Sequence, residues 1–188
     1  AALSLAGCSL LPWAEHDAQL YSPIYGQVGV GMVGLAPGDL FSQGDIPVCV
    51  DVPGSVTITS VEPVEPSNGL SVVAFAVRRI PAGDVPLGNS VGDLTSMGLT
   101  QEQQNNRVVT NVCGEQSRAN VGLEGPPPAG TTEERVELVV TVTASAIPAS
   151  AQALMIRFTD QSGDERSATS GFAVNLCSGQ VGDPCPSE

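Results

Sequence analysis

The sequence contains no lysine, one histidine and one tryptophan, and its seven basic residues, all arginine, are outnumbered by twenty acidic ones. The resulting net charge of -13 repels phosphate backbones, and no basic cluster is larger than the pair Arg78 and Arg79. We therefore expect no nucleic-acid partner. Anionic lipid headgroups are repelled for the same reason, so attachment to a membrane would require a lipid chain or a membrane span instead of a basic face.

The shortage of catalytic side chains argues against an enzyme. A Ser-His-Asp triad would have to use His16, which lies near the N-terminus in a segment without regular periodicity. The run from Gly29 to Gly34 matches G-x-G-x-x-G, but Pro37 and Gly38 follow where a dinucleotide fingerprint needs a helix. We expect no catalytic residues and no cofactor. Paired-carboxylate catalysis stays open, because acidic residues distant in sequence can meet in space.

Patterns for metal and sugar binding are also scarce. No two cysteines have the close spacing of roughly two to four intervening residues that zinc sites use. The acidic residues Asp160, Asp164 and Glu165 do not follow the spacing of a known calcium loop. We expect no metal site, with that acidic group as the alternative. Aromatic residues make up 4% of the chain, which is few for the aromatic platform of a sugar-binding surface.

What the sequence does contain is short runs of apolar and β-branched residues separated by Gly, Pro, Asn and Asp, a pattern typical of strands and turns. Seven strands are predicted, at residues 46–52, 55–61, 70–78, 107–112, 135–144, 153–160 and 166–176. Residues 24–33 could add another. Thr100 and Gln103 have capping-box spacing, which predicts a short helix through Asn106, with a polar loop as the alternative.

The alternation of side chains within these runs predicts how the strands pack. In 135–144, valine and leucine alternate with Glu137 and Thr141, so we expect one buried face and one wet face. The last two strands flank the turn residues 160–164 and are predicted to form a hairpin. The fold class we predict is all-β, a two-sheet antiparallel sandwich whose strand number and spacing resemble immunoglobulin-like domains. The core tryptophan of that family is missing, since Trp13 precedes every predicted strand.

A cysteine follows a run of small apolar residues at the start of the sequence. The residues Leu5-Ala6-Gly7-Cys8 resemble the lipobox of bacterial lipoproteins. The resemblance implies that residues 1–7 are the C-terminal part of a signal peptide, that Cys8 carries the lipid, and that the mature protein is extracytoplasmic and anchored to the cell membrane. No Met and no basic n-region precede the run, so we interpret the signal as partly present. The alternative is a buried N-terminal strand or helix with an unmodified cysteine.

The remaining residues divide into a tether and one domain. Residues 8–22 have no sustained period and are predicted to be a lipidated tether, and residues 23–188 a single domain. Four cysteines remain after Cys8, an even number that suits an exported protein. Of three possible pairings we favour Cys49 with Cys113 and Cys177 with Cys185, because the second pair flanks a turn-rich C-terminal segment. Unpaired thiols are the alternative.

These features together predict a non-catalytic, membrane-anchored envelope lipoprotein that binds another protein or has a structural role. The alternative is a cell-wall carbohydrate-binding module or a carboxylate-dependent hydrolase. That alternative requires a concave site with two acidic residues, or an exposed pair of aromatic residues. The expected partners are the membrane, through the lipid on Cys8, and an envelope protein or a cell-wall polymer.

Overall fold

A computed structural model describes residues 16–24, 28–81, 83–126, 128 and 135–179. The described residues form strands of two to ten residues and two helices of five and six residues. In chain order these elements are β1 (Leu20–Tyr21), β2 (Val28–Met32), β3 (Phe41–Pro47), β4 (Cys49–Val50), β5 (Val56–Val64), β6 (Ser71–Ile80), β7 (Asn89–Val91), α1 (Gln101–Asn105), β8 (Val108–Val109), α2 (Glu115–Asn120), β9 (Arg135–Thr143), β10 (Ala149–Ala151), β11 (Ala153–Thr159), β12 (Glu165–Ser170) and β13 (Phe172–Leu176).

Two four-stranded antiparallel sheets form the body of the molecule. The first sheet has the order β6-β9-β3-β7 and the second has the order β12-β11-β5-β8. Two smaller sheets, β10-β13-β2 and β1-β4, complete the β-structure of the described residues, and β2 joins β13 in parallel. The predicted all-β antiparallel sandwich is therefore confirmed.

The core combines the apolar faces of both sheets. The first sheet contributes Phe41, Ile46, Val77, Val136, Leu138, Val140 and Val142, and the second contributes Val56, Ile58, Val61, Val109, Leu154, Ile156 and Phe158. Burying each such side chain stabilises the fold by about 1.5–3 kcal/mol. On β5 the alternation is clean, since Val56 and Ile58 are buried while Thr57 and Thr59 are exposed.

The outer face of β9 is buried, so the prediction of a wet face on this strand is wrong. Glu137 and Thr141 are each only 1% exposed. The connection after β6 covers them, because it brings Leu94 and Leu99 against Ala76 and Val139 in a second apolar cluster. Since β9 also lies between β6 and β3, it is a central strand buried on both faces.

The predicted hairpin and helix are present with altered bounds. β11 pairs with β12 across residues 160–164, as the predicted hairpin requires. The second predicted strand, however, is divided in two, and its second half, β13, belongs to the sheet with β10 and β2. The predicted strand 46–52 divides in the same way between β3 and β4. Thr100 caps α1 as predicted: its Oγ1 accepts from the Gln103 backbone N–H at 3.3 Å, and its own N–H donates to Gln103 Oε1 at 2.9 Å.

The last part of the predicted tether packs against the sandwich. Ala18 and Leu20 are buried, and β1 pairs with β4 through Leu20 with Val50 and Tyr21 with Cys49. The packed domain therefore extends N-terminal of the predicted boundary at residue 23, at least as far as residue 16. Residues 1–7 and 8–15, assigned to the signal peptide and the rest of the tether, lie outside the described residues.

Candidate binding cleft

The cysteines predicted to form the first disulfide are joined. Cys49 and Cys113 are both buried and bonded, which confirms this pairing. Cys177 is disulfide-bonded as well. Its predicted partner, Cys185, and the predicted lipidation site, Cys8, lie outside the described residues.

The Cys49–Cys113 bond fixes the segment before α2 to β4. Next to it, the Cys113 N–H donates to the Val50 carbonyl at 2.8 Å, and Val50 forms an isolated parallel bridge with Val112. Covalent and hydrogen bonds thus hold residues 111–114 against the edge of the sandwich. These residues form one wall of a cleft.

The cleft has a volume of about 440 Å³ and lies beside the disulfide. This size falls within the range of small-ligand pockets, roughly 300–1,000 Å³. Its apolar wall includes Pro23, Pro47, Ile80, Pro86, Val112 and Val136. Its polar lining includes Asp45, Asn111, Glu115, Gln116, Arg135 and Glu137. The combination of an apolar wall and a few polar groups is the usual composition of a binding site.

A bulge in β3 places Asp45 at the cleft. The pairing of β3 with β9 shifts register between Gln43 and Ile46, and Asp45 has a φ of 56°, in the left-handed region. Bulges of this kind redirect a side chain out of the sheet. The bulge depends on Gly44, because a Cβ there would lie 2.5 Å from the Leu87 carbonyl oxygen. Only glycine at position 44 allows the chain to approach Leu87 this closely, and the bulge formed there exposes Asp45.

Glu137 is buried in the cleft wall with both carboxylate oxygens occupied. Oε1 accepts from Arg78 Nη1 at 2.6 Å and from the Leu87 N–H at 3.2 Å. Oε2 accepts from the Asp45 N–H at 2.7 Å and from the Leu87 N–H at 3.1 Å. These contacts saturate the carboxylate and hold the bulge and the β6–β7 connection in place.

Asn111 leaves an unsatisfied acceptor in the same wall. Its side chain is buried, and Nδ2 donates to the Val48 carbonyl at 3.0 Å. Its Oδ1 accepts no hydrogen bond from any residue in the described part of the chain. An unmet buried acceptor costs about 1–3 kcal/mol.

The acidic group considered as an alternative calcium site is engaged by the protein itself. Asp160 Oδ2 accepts from Arg166 Nε at 2.8 Å, while Oδ1 accepts from Ser162 Oγ at 2.8 Å and from the Asp164 N–H at 3.0 Å. Burial favours the neutral acid, but these hydrogen bonds and Arg166 outweigh it and hold the pKa of Asp160 below its ordinary value. Within the described ranges, no three His, Cys, Asp or Glu side chains are arranged to hold a metal ion.

His16 pairs with Asp51 away from the cleft. His16 Nε2 lies 2.9 Å from Asp51 Oδ2, and the buried Asp51 also accepts from the Gln19 N–H at 2.8 Å. Burial and the charge of Asp51 raise the pKa of the neighbouring Tyr21, partly offset by Arg118. Neither His16 nor Asp51 lines the cleft. Their pairing fastens the start of the packed domain to the end of β4.

Sequence reasoning did not identify the cleft. Asp45 could have been suspected, because Gly44 and Asp45 directly precede the predicted strand at Ile46, and a glycine within or beside a strand often marks a bulge. Asn111 and Glu115 gave no comparable signal, since their positions depend on the disulfide and on the path into α2.

The two helices of the described chain, with five and six residues, are far shorter than the roughly 20 residues that a membrane crossing needs.

Comparison of the chain with models of protein families finds no family that matches. Comparisons with curated proteins and with solved structures find no match either.

Proposed function

We propose that this chain is the extracytoplasmic domain of a bacterial lipoprotein, anchored through Cys8, and that it binds a segment of an envelope protein in the cleft beside the Cys49–Cys113 disulfide. The domain acts as a non-catalytic binding module. Its β-sandwich provides a rigid frame, and the cleft provides the contact surface.

The proposed location is supported by the lipobox-like residues Leu5 to Cys8 together with the oxidised cysteines. Disulfides persist in oxidising compartments, and Cys49, Cys113 and Cys177 are all oxidised. His16 follows Cys8 by eight residues, so the fully extended chain between them spans at most about 28 Å. A lipid on Cys8 would therefore keep the domain close to the bilayer, where its partners would be membrane proteins or other envelope proteins.

The observation that carries the binding proposal is the cleft itself. Its walls are held by the disulfide and by the Arg78–Glu137 ion pair, so the site is formed before any ligand binds. Preformed sites avoid the entropy cost of ordering their walls on binding. The apolar wall and the carboxylates of Asp45 and Glu115 suit a polypeptide segment, which offers both apolar side chains and N–H donors.

The test is photo-crosslinking in the bacterial envelope. A photoreactive residue at Gln116, in the cleft, should crosslink to a discrete partner. The same residue at Thr59, exposed on the outer face of β5, should not. A Gln116 variant that gives no more crosslinked product than the Thr59 variant would contradict the proposal.

A second candidate is binding or hydrolysis of a cell-wall polysaccharide, favoured by the presence of Asp45 and Glu115 in one cleft. Hydrolysis would use them as a carboxylate pair, because Glu137 is already saturated. Incubation with peptidoglycan and with purified wall polysaccharides tests it. New reducing ends that disappear in Asp45→Asn and Glu115→Gln would make this candidate the correct one.

A further inference from the structure

We infer that the cleft selects a segment bearing a cationic side chain, lysine or arginine, next to apolar residues. This inference rests on the proposed function, because it specifies the chemistry of the segment that the same cleft binds. Four features of the cleft and of the surrounding surface support it.

The first feature is the balance of charge in the cleft. The carboxylates of Asp45 and Glu115 make no ion pair or hydrogen bond with any described residue, and both residues line the cleft. Glu137 is neutralised by Arg78, and Arg135 is the one cation in the lining. Two unpaired carboxylates against one guanidinium leave the cleft negative. The guanidinium of Arg135 is itself engaged, since Nη2 donates to the Asp84 carbonyl at 2.6 Å.

The second feature is the kind of charged group that the cleft leaves unpaired. The carboxylates of Asp45 and Glu115 accept hydrogen bonds and cannot donate them. Ammonium and guanidinium groups carry several N–H donors and no acceptor. A cationic side chain can therefore donate to these carboxylates, which an anionic or purely apolar side chain cannot do.

The third feature is the composition of the rest of the wall. Pro23, Pro47 and Pro86 have no backbone N–H, so this part of the cleft offers apolar contact and few donors. The first turn of α2 does present backbone N–H groups, but Glu115 already supplies the negative charge that a helix start favours. Aliphatic stems of lysine or arginine pack well on such apolar surfaces while their charged heads reach the carboxylates.

The fourth feature is the electrostatic field at the protein surface. Each of the seven arginines has an internal partner, from the Arg166–Asp160 and Arg157–Glu62 ion pairs to the hydrogen bond from Arg79 to Thr110. With a net charge of -13, the uncompensated charge is negative. Such a field steers cationic partners and makes their association faster at low salt.

The experiment is selection of a displayed library of random peptides on the purified, oxidised chain. Enriched peptides should contain lysine or arginine beside apolar residues. The double variant Asp45→Asn with Glu115→Gln should weaken binding of the best peptide at least about tenfold, as expected for losing charged hydrogen bonds. Asparagine also tolerates the positive φ at residue 45, so the bulge is kept.

The matched control removes the same charge elsewhere. Glu65→Gln with Glu165→Gln changes two exposed carboxylates outside the cleft and should weaken binding less than about threefold, through the long-range field alone. Enrichment of acidic or uncharged peptides, equal effects of the two double variants, or no enrichment at all would overturn the inference.

A wrong cationic preference and a wrong binding function give different results. If uncharged peptides compete with the Gln116 crosslink in the envelope, the binding function stands and the cationic preference is wrong. If no peptide is enriched and the Gln116 crosslink is absent too, the proposed function fails with it.

Discussion

Arg78 and Glu137 form a buried ion pair, with Nη1 and Oε1 2.6 Å apart and side-chain exposures of 12% and 1%. The pair joins neighbouring strands of the first sheet, and it lies where the β6–β7 connection crosses that sheet. Because the same carboxylate also accepts from the Asp45 N–H, the pair connects the strands to the bulge that forms the cleft.

Replacing Arg78 with methionine should therefore destabilise the protein strongly. The variant leaves the buried Glu137 without its cationic partner, and removing one partner of a buried ion pair typically costs about 3–5 kcal/mol. Arg157→Met is the control, because the Arg157–Glu62 pair is half exposed on both sides and should contribute less than about 1 kcal/mol. Urea denaturation measures both, and similar losses in the two variants would contradict the role assigned to the buried pair.

The bulge at Gly44 should tolerate no side chain. In Gly44→Ala the added Cβ would lie 2.5 Å from the Leu87 carbonyl oxygen, and relieving this contact should cost about 1–3 kcal/mol. Gly88→Ala is the matched control, because nothing lies within 4 Å of the position that its methyl group would take and its φ is not positive. Thermal unfolding should show a lower Tm for the first variant alone. An unchanged Tm for Gly44→Ala would mean that Leu87 moves away at no cost.

The Cys49–Cys113 disulfide should contribute substantially to stability. It joins residues 64 apart, and loop-closure entropy predicts roughly 4 kcal/mol from such a bond. The double variant Cys49→Ala with Cys113→Ala should lower Tm by about 10 °C. Intact mass after alkylation checks that the bond of Cys177 is still formed. A Tm change of less than about 2 °C would show that the remaining structure holds the cleft wall unaided.

Stability in acid should depend on Asp160. Its pKa is held below the ordinary value in the folded protein, so its stabilising contribution is present above the unfolded pKa, near 4, and is lost as pH falls through the folded pKa. The Tm of Asp160→Asn should lie below that of the parent at pH 6, and the difference should shrink as the pH is lowered below about 4. Asp164→Asn, at an exposed carboxylate, should show a smaller difference at every pH. A difference for Asp160→Asn that is constant with pH would contradict the assigned pKa direction.

The sequence predicts the sandwich because its signals are local. The alternation in β5 and β11, the turn residues 160–164 and the capping box at Thr100 each specify an element through neighbouring residues. The pairing of Cys49 with Cys113 could also be chosen from spacing and composition. The predicted strand ends were less accurate. The predicted strand 166–176, for example, is divided at Gly171, because β12 and β13 belong to different sheets.

The cleft could not be predicted, because it depends on contacts between distant segments. The alternation in its strand predicts that Glu137 faces solvent. It is buried because the connection after β6, which carries Leu94 and Leu99, packs over this face of the sheet. Asp45 reaches the cleft through a bulge in which the Gly44 N–H donates to the Gly88 carbonyl at 2.9 Å, and Gly88 is 44 residues further along the chain. Local periodicity carries no information about such partners.

We propose that this domain lies outside the cytoplasm, tethered through a lipid on Cys8. The most direct test is the intact mass of the full-length gene product, expressed with its native signal in a bacterium that processes lipoproteins, before and after reduction. We predict the mass of a chain that begins at Cys8 and carries a diacylglyceryl group, increasing on reduction by the hydrogens of the Cys49–Cys113 bond and of the bond at Cys177. An unmodified chain that retains residues 1–7 and gains no mass on reduction would contradict both the anchor and the compartment.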